Sequence, residues 1–403
     1  MSFIPVSELT AKRVPPDSFA LWALGFRPFF LGAALYGALG MALWLASALR
    51  GFALPSTLGA YFWHAHEMLF GYTAAVVIGF LLTAVRNWTG IDTLRGRPLA
   101  ALFLLWLLPR VLHFSGWLPA GVLAALDCGF LVLATLAVAQ PLVRAGHRKS
   151  YVFILLLGLM CLADVLGYWA LLDPERAILL PRAERLALYA VLGILIIMGG
   201  RVIPFFTERG LQVTLRQGPL RRLGEQGALW TLFALMAADL LWGNARAVAL
   251  LALLTGLLNL LRAGCWYHPR IWQVPLVWVL HTGHAWLVLG FLLHAAASLG
   301  WLPLPTSLHG YTAGAIGVLT LGMMARVALG HTGRPLQVGR AVVASFWLIN
   351  LAVLLRVVPY LLAPSHIPWW LAGSALAWIA ACALFAYVYA PILWRARVDG
   401  LPG

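Results

Sequence analysis

The sequence predicts an all-α, polytopic integral membrane protein of about 12 transmembrane helices with both termini cytoplasmic. Three observations carry this. First, 62% of the 403 residues are apolar and 10% are charged, against about 45–50% and about 25% in ordinary globular domains. Second, apolar runs recur from Leu21 to Leu393, and most reach the ~17–25 residues that a bilayer-spanning helix needs. Third, most of the 28 Lys and Arg fall in the N-terminus, alternate connections and the C-terminus, which the positive-inside rule assigns to the cytoplasm. A soluble enzyme, a nucleic-acid-binding domain and a β-barrel of short alternating strands are excluded. The net charge of +15 reflects basic cytoplasmic loops, so the expected partner is the lipid bilayer and not nucleic acid.

The elements follow in order. The polar start carries Pro15-Pro16 and lacks an apolar core before a cleavage site, so no removable signal peptide is expected. Apolar runs then fall at 28–49, 62–85, 98–117, 119–140, 150–172, 184–204, 226–243, 245–263, 272–298, 306–329, 338–362 and 367–393. The third and fourth are parted only by Gly116 to Pro119. The sixth ends in Gly199-Gly200-Arg201-Val202-Ile203-Pro204-Phe205-Phe206-Thr207, where Pro204 is expected to stop the helix. The chain reads as one transmembrane domain over 1–403, with halves 20–204 and 226–393 joined by a basic loop at 205–225. Gly71-Tyr72-Thr73-Ala74 in the second run recurs as Gly310-Tyr311-Thr312-Ala313 in the tenth. Each is followed by an Arg (Arg86, Arg326) and a Gly-Arg-Pro-Leu. Both runs cross in the same direction, which a parallel internal repeat would allow.

The four cysteines stand far apart and form no CxxC, so structural zinc, iron–sulfur and thioredoxin-type sites lack their signature. CxxCH is absent too, so any haem would be held non-covalently. Ionisable groups inside a bilayer are costly unless paired, hydrated or metal-bound, and each is a functional candidate. The richest group is Trp63-His64-Ala65-His66-Glu67-Met68 at the outer end of the second run. On a regular helix His64 and His66 point about 200° apart, so they share a metal only if that turn is unwound. His64 and Met68 share a face and suit soft copper. His281 and His284 lie one turn apart in the ninth run, with His294 closer to the outside. His309 and His331 bracket the tenth run, roughly 33 Å apart at helical rise, and cannot share a metal. His113, His147, His268 and His366 fall at loops or helix ends, where solvation is expected. Asp127, Asp164 and Asp239 can pair with Arg110, Arg201 or Arg246, or relay protons. Arg27, Arg86, Arg201 and Arg326 near the membrane edge can hold haem propionates or serve as positive-inside anchors.

These landmarks resemble the NnrS family of bacterial inner-membrane proteins. The matching strings are Phe26 to Phe30 (FRPFF), Trp63 to Tyr72 (WHAHEMLFGY), Gly79 to Gly90 (GFLLTAVRNWTG), Gly199 to Thr207 (GGRVIPFFT) and Gly322 to Leu336 (GMMARVALGHTGRPL). The resemblance implies a multi-pass inner-membrane protein with haem b and copper that acts in defence against nitric oxide, commonly beside denitrification. It leaves open whether nitric oxide is a ligand or the substrate of an oxidoreductase served by an unknown electron donor. The family's histidines fall on His64, His66, His281, His309 and His331, with His284 less typical. Motif and depth together suggest an outer metal group of His64, His66 and His309, and a mid-membrane ligand His281 with His284 as optional partner. Reduction of nitric oxide would draw on Glu67, Asp127, Asp164 and Asp239 as proton relays. The competing reading is a twelve-helix transporter of a metal, haem or an iron–nitrosyl species.

Overall fold

A computed structural model describes residues 14–51, 59–115, 118–362 and 366–401. Each apolar run forms a helix there. In chain order these are α1 (Phe26–Arg50), α2 (Ala60–Thr89), α3 (Gly96–Leu112), α4 (Ala120–Arg144), α5 (Tyr151–Leu171) and α6 (Leu180–Leu211). They continue as α7 (Pro219–Ala237), α8 (Ala245–Trp266), α9 (Pro275–Ser298), α10 (Leu304–His331), α11 (Arg340–Leu362) and α12 (Ile367–Trp394). Ten of these helices are long and apolar enough to cross a membrane. The others are α3, with 17 residues, and α7, whose first turns carry Arg221, Arg222 and Glu225.

One boundary differs from expectation. Pro204 does not stop α6, which runs on to Leu211 and ends at Gln212 with φ 53°, a left-handed cap. Within a packed membrane helix a proline is tolerated, because neighbours and side-chain hydroxyls re-satisfy the local backbone. The basic stretch 205–225 is therefore mostly helix, and only residues 212–218 connect α6 to α7.

The bundle wraps α2 and α10, its two most enclosed spans. The first and last helices pack side by side, and α1 also lies against α2 and α10. Outward-facing Leu133, Leu136, Leu250, Leu257 and Trp347 leave an apolar exterior suited to lipid. Arg27 closes one end of this core. Its guanidinium donates to the carbonyls of Leu393 (2.9 Å) and Arg395 (2.7 Å), the groups that a helix leaves without partners at its C-terminus.

Both central helices contain a wide π turn, at Glu67–Thr73 in α2 and at Gly310–Gly317 in α10. The echoed Gly-Tyr-Thr-Ala tetrapeptides sit on these turns. An inserted residue of this kind re-aims the side chains around it. Gly71 is needed for space: a Cβ there would lie 2.7 Å from Glu67 Oε2 and 2.7 Å from the Tyr36 ring.

Candidate functional site

A cavity of about 160 Å³ opens beside the two π turns, bounded by α1, α2, α6, α10, α11 and α12. Its walls are mostly apolar, and His64, Met68 and His309 reach into it with Arg185 and Arg356. The His64 ring stacks on Trp44, with centroids 4.5 Å apart and planes 13° from parallel. Its Nδ1 is buried with no hydrogen-bond partner. His309 is oriented from behind, its Nδ1 lying 2.6 Å from the Pro305 carbonyl, which fixes Nδ1–H as donor and leaves Nε2 with its lone pair. Two imidazoles and a thioether, from two different helices, thus line one mostly apolar chamber. That donor set suits haem iron or copper. A chamber of about 160 Å³ admits a metal ion or a small gas as it stands, and has to widen between its helices to admit a porphyrin.

His66 does not join them. Two residues on from His64, it turns to the other side of α2 and enters a fully buried ionic cluster with Glu67, Arg110, His113, Asp127 and Asp164. His66 Nδ1 lies 3.0 Å from Glu67 Oε1, and its Nε2 lies 3.0 Å from Asp164 Oδ1. Arg110 bridges two acids: its Nε is 3.2 Å from Glu67 Oε2, and its Nη1 hydrogen-bonds Asp127 Oδ1. Tyr36 donates to Glu67 Oε2 at 2.5 Å, and Tyr168 donates to Asp127 Oδ2 at 2.6 Å. His113 completes the ring, with Nε2 3.7 Å from Glu67 Oε1 and 3.5 Å from Asp127 Oδ2. Expected as solvated at a helix end, His113 is instead 1% exposed, because α2, α4 and Tyr168 of α5 cover the end of α3.

The remaining predicted residues lie elsewhere. His281 Nε2 is 2.9 Å from the Thr207 hydroxyl, and His284 Nε2 is 3.0 Å from the Asn259 carbonyl. Neither lines the cavity beside His64 and His309. His284 Nδ1 is buried with no hydrogen-bond partner, beside Trp266. His294 meets the Tyr311 hydroxyl at 3.2 Å. His331 packs on Phe26 at the far end of α10 from His309. Among the acids, Asp127 takes the expected partner Arg110, while Asp164 takes His66 and Asp239 takes Arg185 at 2.8 Å.

The four arginines offered for propionates each make protein contacts. Arg27 caps α12, and Arg86 pairs with Asp92 at 2.8 Å. Arg201 sits over Trp88 and Phe153 and donates to the Lys149 carbonyl. Arg326 lies 3.8 Å over the Phe206 ring. The cations that do line the cavity, Arg185 and Arg356, were missed by sequence reasoning. Arg185 was findable as a charge near the start of a long apolar run, and Arg356 as a charge inside one.

A family model described as NnrS protein matches residues 20–397, nearly the whole chain. No curated protein matches the chain.

Proposed function

The chain belongs to the NnrS family, and from that premise we propose that it is a haem- and copper-binding protein of the bacterial inner membrane that defends the cell against nitric oxide. In this reading all twelve helices span the membrane, and both termini lie in the cytoplasm. The observation that carries it is that His64 and His309, from two different helices, line one mostly apolar chamber. Bound there, haem iron and copper would supply the centre that takes up nitric oxide. The chain's own groups do the rest. Trp44 fixes the plane of His64, the Pro305 carbonyl fixes the tautomer of His309, and Met68 offers a soft donor. Arg185, which pairs with Asp239, and Arg356 line the chamber together with Glu184 and are the cations it would offer to acidic groups of a porphyrin. Apolar walls favour entry of an apolar gas from the lipid and exclude water from the metal. Catalytic turnover would require electrons from a separate donor.

Optical spectra and iron and copper analysis of the detergent-purified protein test this. The expected result is a b-type haem spectrum that shifts with nitric oxide, with copper near one per chain. Both signals should fall in His64→Ala and His309→Ala. A colourless protein that binds metal only reversibly would overturn the reading in favour of a carrier. In cells, deletion should leave growth normal until nitric oxide is added; equal sensitivity of mutant and parent would count against the assignment.

A further inference from the structure

The buried cluster on the opposite side of α2 is built like a second, closed metal site. One ligand atom from each of His66, Glu67, His113 and Asp127 lies within 4.8 Å of every other. The closest spacings are His66 Nδ1 to Glu67 Oε1 at 3.0 Å, His113 Nε2 to Asp127 Oδ2 at 3.5 Å and His113 Nε2 to Glu67 Oε1 at 3.7 Å. Tetrahedral ligands about 2.0–2.1 Å from a zinc-sized ion stand roughly 3.3 Å apart, so these atoms already bracket that figure.

The surroundings agree with the ligand set. Arg110 and Tyr36 hold Glu67 Oε2 and Arg110 holds Asp127 Oδ1, the oxygens outside the four-atom group. Glu67 Oε1 and Asp127 Oδ2 remain inside it, with Asp127 Oδ2 also accepting from the Tyr168 hydroxyl at 2.6 Å. His66 uses its other nitrogen on Asp164 Oδ1 at 3.0 Å, the carboxylate–histidine arrangement that orients a metal-bound imidazole. Asp164 Oδ2, His113 Nδ1 and Arg110 Nη2 are buried with no hydrogen-bond partner; none of them is one of the four ligand atoms, so it is the spacing of those four that points to an ion.

Charge points the same way. Three carboxylates, Glu67, Asp127 and Asp164, face one guanidinium, Arg110, in a site at most 2% exposed. The two carboxylate contacts of His66 call for a proton on each of its nitrogens. His66 then adds a second positive charge, and the cluster keeps one excess negative charge in a low-dielectric interior. A divalent cation that takes the place of the His66 Nδ1 proton leaves the cluster neutral.

We propose that His66, Glu67, His113 and Asp127 bind a divalent first-row cation of the zinc or ferrous type, separate from the haem and copper assigned to the cavity. Two imidazoles and two carboxylates, with no thioether or thiolate among them, favour such an ion over cuprous copper. All four ligands come from protein and none faces solvent, so the site is structural. It ties the π turn of α2 to α3 and α4, and so sets the direction in which His64 and Met68 face the cavity. The proposal does not depend on what the cavity holds.

The test is metal analysis of the full-length protein, purified in detergent, in four forms: unaltered, His64→Ala/His309→Ala, His113→Gln and Asp127→Asn. About one zinc or iron per chain beyond any haem iron should survive in the cavity double variant. It should fall at least tenfold in His113→Gln and in Asp127→Asn. Should those variants not fold, chelator-stripped unaltered protein reloaded with cobalt(II) decides, by the visible ligand-field bands of a tetrahedral site. Absence of both the metal and those bands overturns the proposal, as does full retention of the metal in a folded His113→Gln protein. Loss of copper instead of zinc or iron in that variant would overturn the separation of the two sites.

Discussion

His64 and His66 stand two residues apart on one helix, yet their surroundings are opposites. His64 faces an apolar chamber with a buried nitrogen that has no partner. Both nitrogens of His66 are engaged by carboxylates in a cluster closed to solvent. The first region leaves a histidine nitrogen without a protein partner, while in the second both nitrogens of the histidine meet protein carboxylates. The π turn that begins at Glu67 joins them: it directs Glu67 into the cluster while Met68, the next residue, reaches the cavity. A rigid ionic floor beneath an unsatisfied pair of imidazoles is how a flexible side chain can be held ready for a metal at low entropic cost.

The comparison breaks most severely at Arg110. Replacing it with Ala leaves Glu67 and Asp127 buried without their shared cation, which should cost about 3–5 kcal/mol, and thermal unfolding in detergent should show a large drop or no folded protein. His64→Ala and His309→Ala should behave in the opposite way, with little change in unfolding temperature but loss of bound haem and copper, read by spectra and metal analysis. If they unfold the protein as Arg110→Ala does, the cavity is part of the scaffold and the contrast fails. Gly71→Ala sits between the two regions. Its Cβ would collide with Glu67 Oε2 and Tyr36, at a cost of about 1–3 kcal/mol, and the shifted π turn should also weaken metal binding at His64.

Away from this comparison the effects shrink. Arg27→Ala frees the carbonyls of Leu393 and Arg395, about 1.5–3 kcal/mol for hydrogen bonds from a charged donor, and limited proteolysis should reach the C-terminal segment sooner. Arg86→Ala removes an exposed pair with Asp92 and should change stability by less than about 1 kcal/mol. Asp399, outside the membrane helices, is held below the usual carboxylate range chiefly by its hydrogen bond from Arg397. A depressed folded-state value stabilises above the ordinary carboxylate pKa and is lost as pH falls through the folded value, so protection of the C-terminal segment should weaken only in acid.

The helices were legible in the sequence because a lipid solvent demands long apolar runs, and every run became a helix. Pro204 misled, since the rule that proline stops a helix holds in water but is relaxed where neighbours satisfy the backbone. Buried charge was legible as such: Asp127, Asp164 and Asp239 were singled out, and Arg110 was named as a partner. Who meets whom was not, because His66–Asp164 and Arg185–Asp239 join helices far apart in sequence. The division of His64 from His66 hinted at itself in the opposed directions of a regular helix. The echoed Gly-Tyr-Thr-Ala marked both π turns, although composition alone gives no sign of the extra residue per turn.

The most direct measurement is the metal content and optical spectrum of the His64→Ala/His309→Ala protein beside the unaltered one, with both shown to be folded. The account predicts that haem and copper disappear together while the unfolding temperature and any zinc or non-haem iron remain. Haem and copper retained in full by a folded double variant would contradict it.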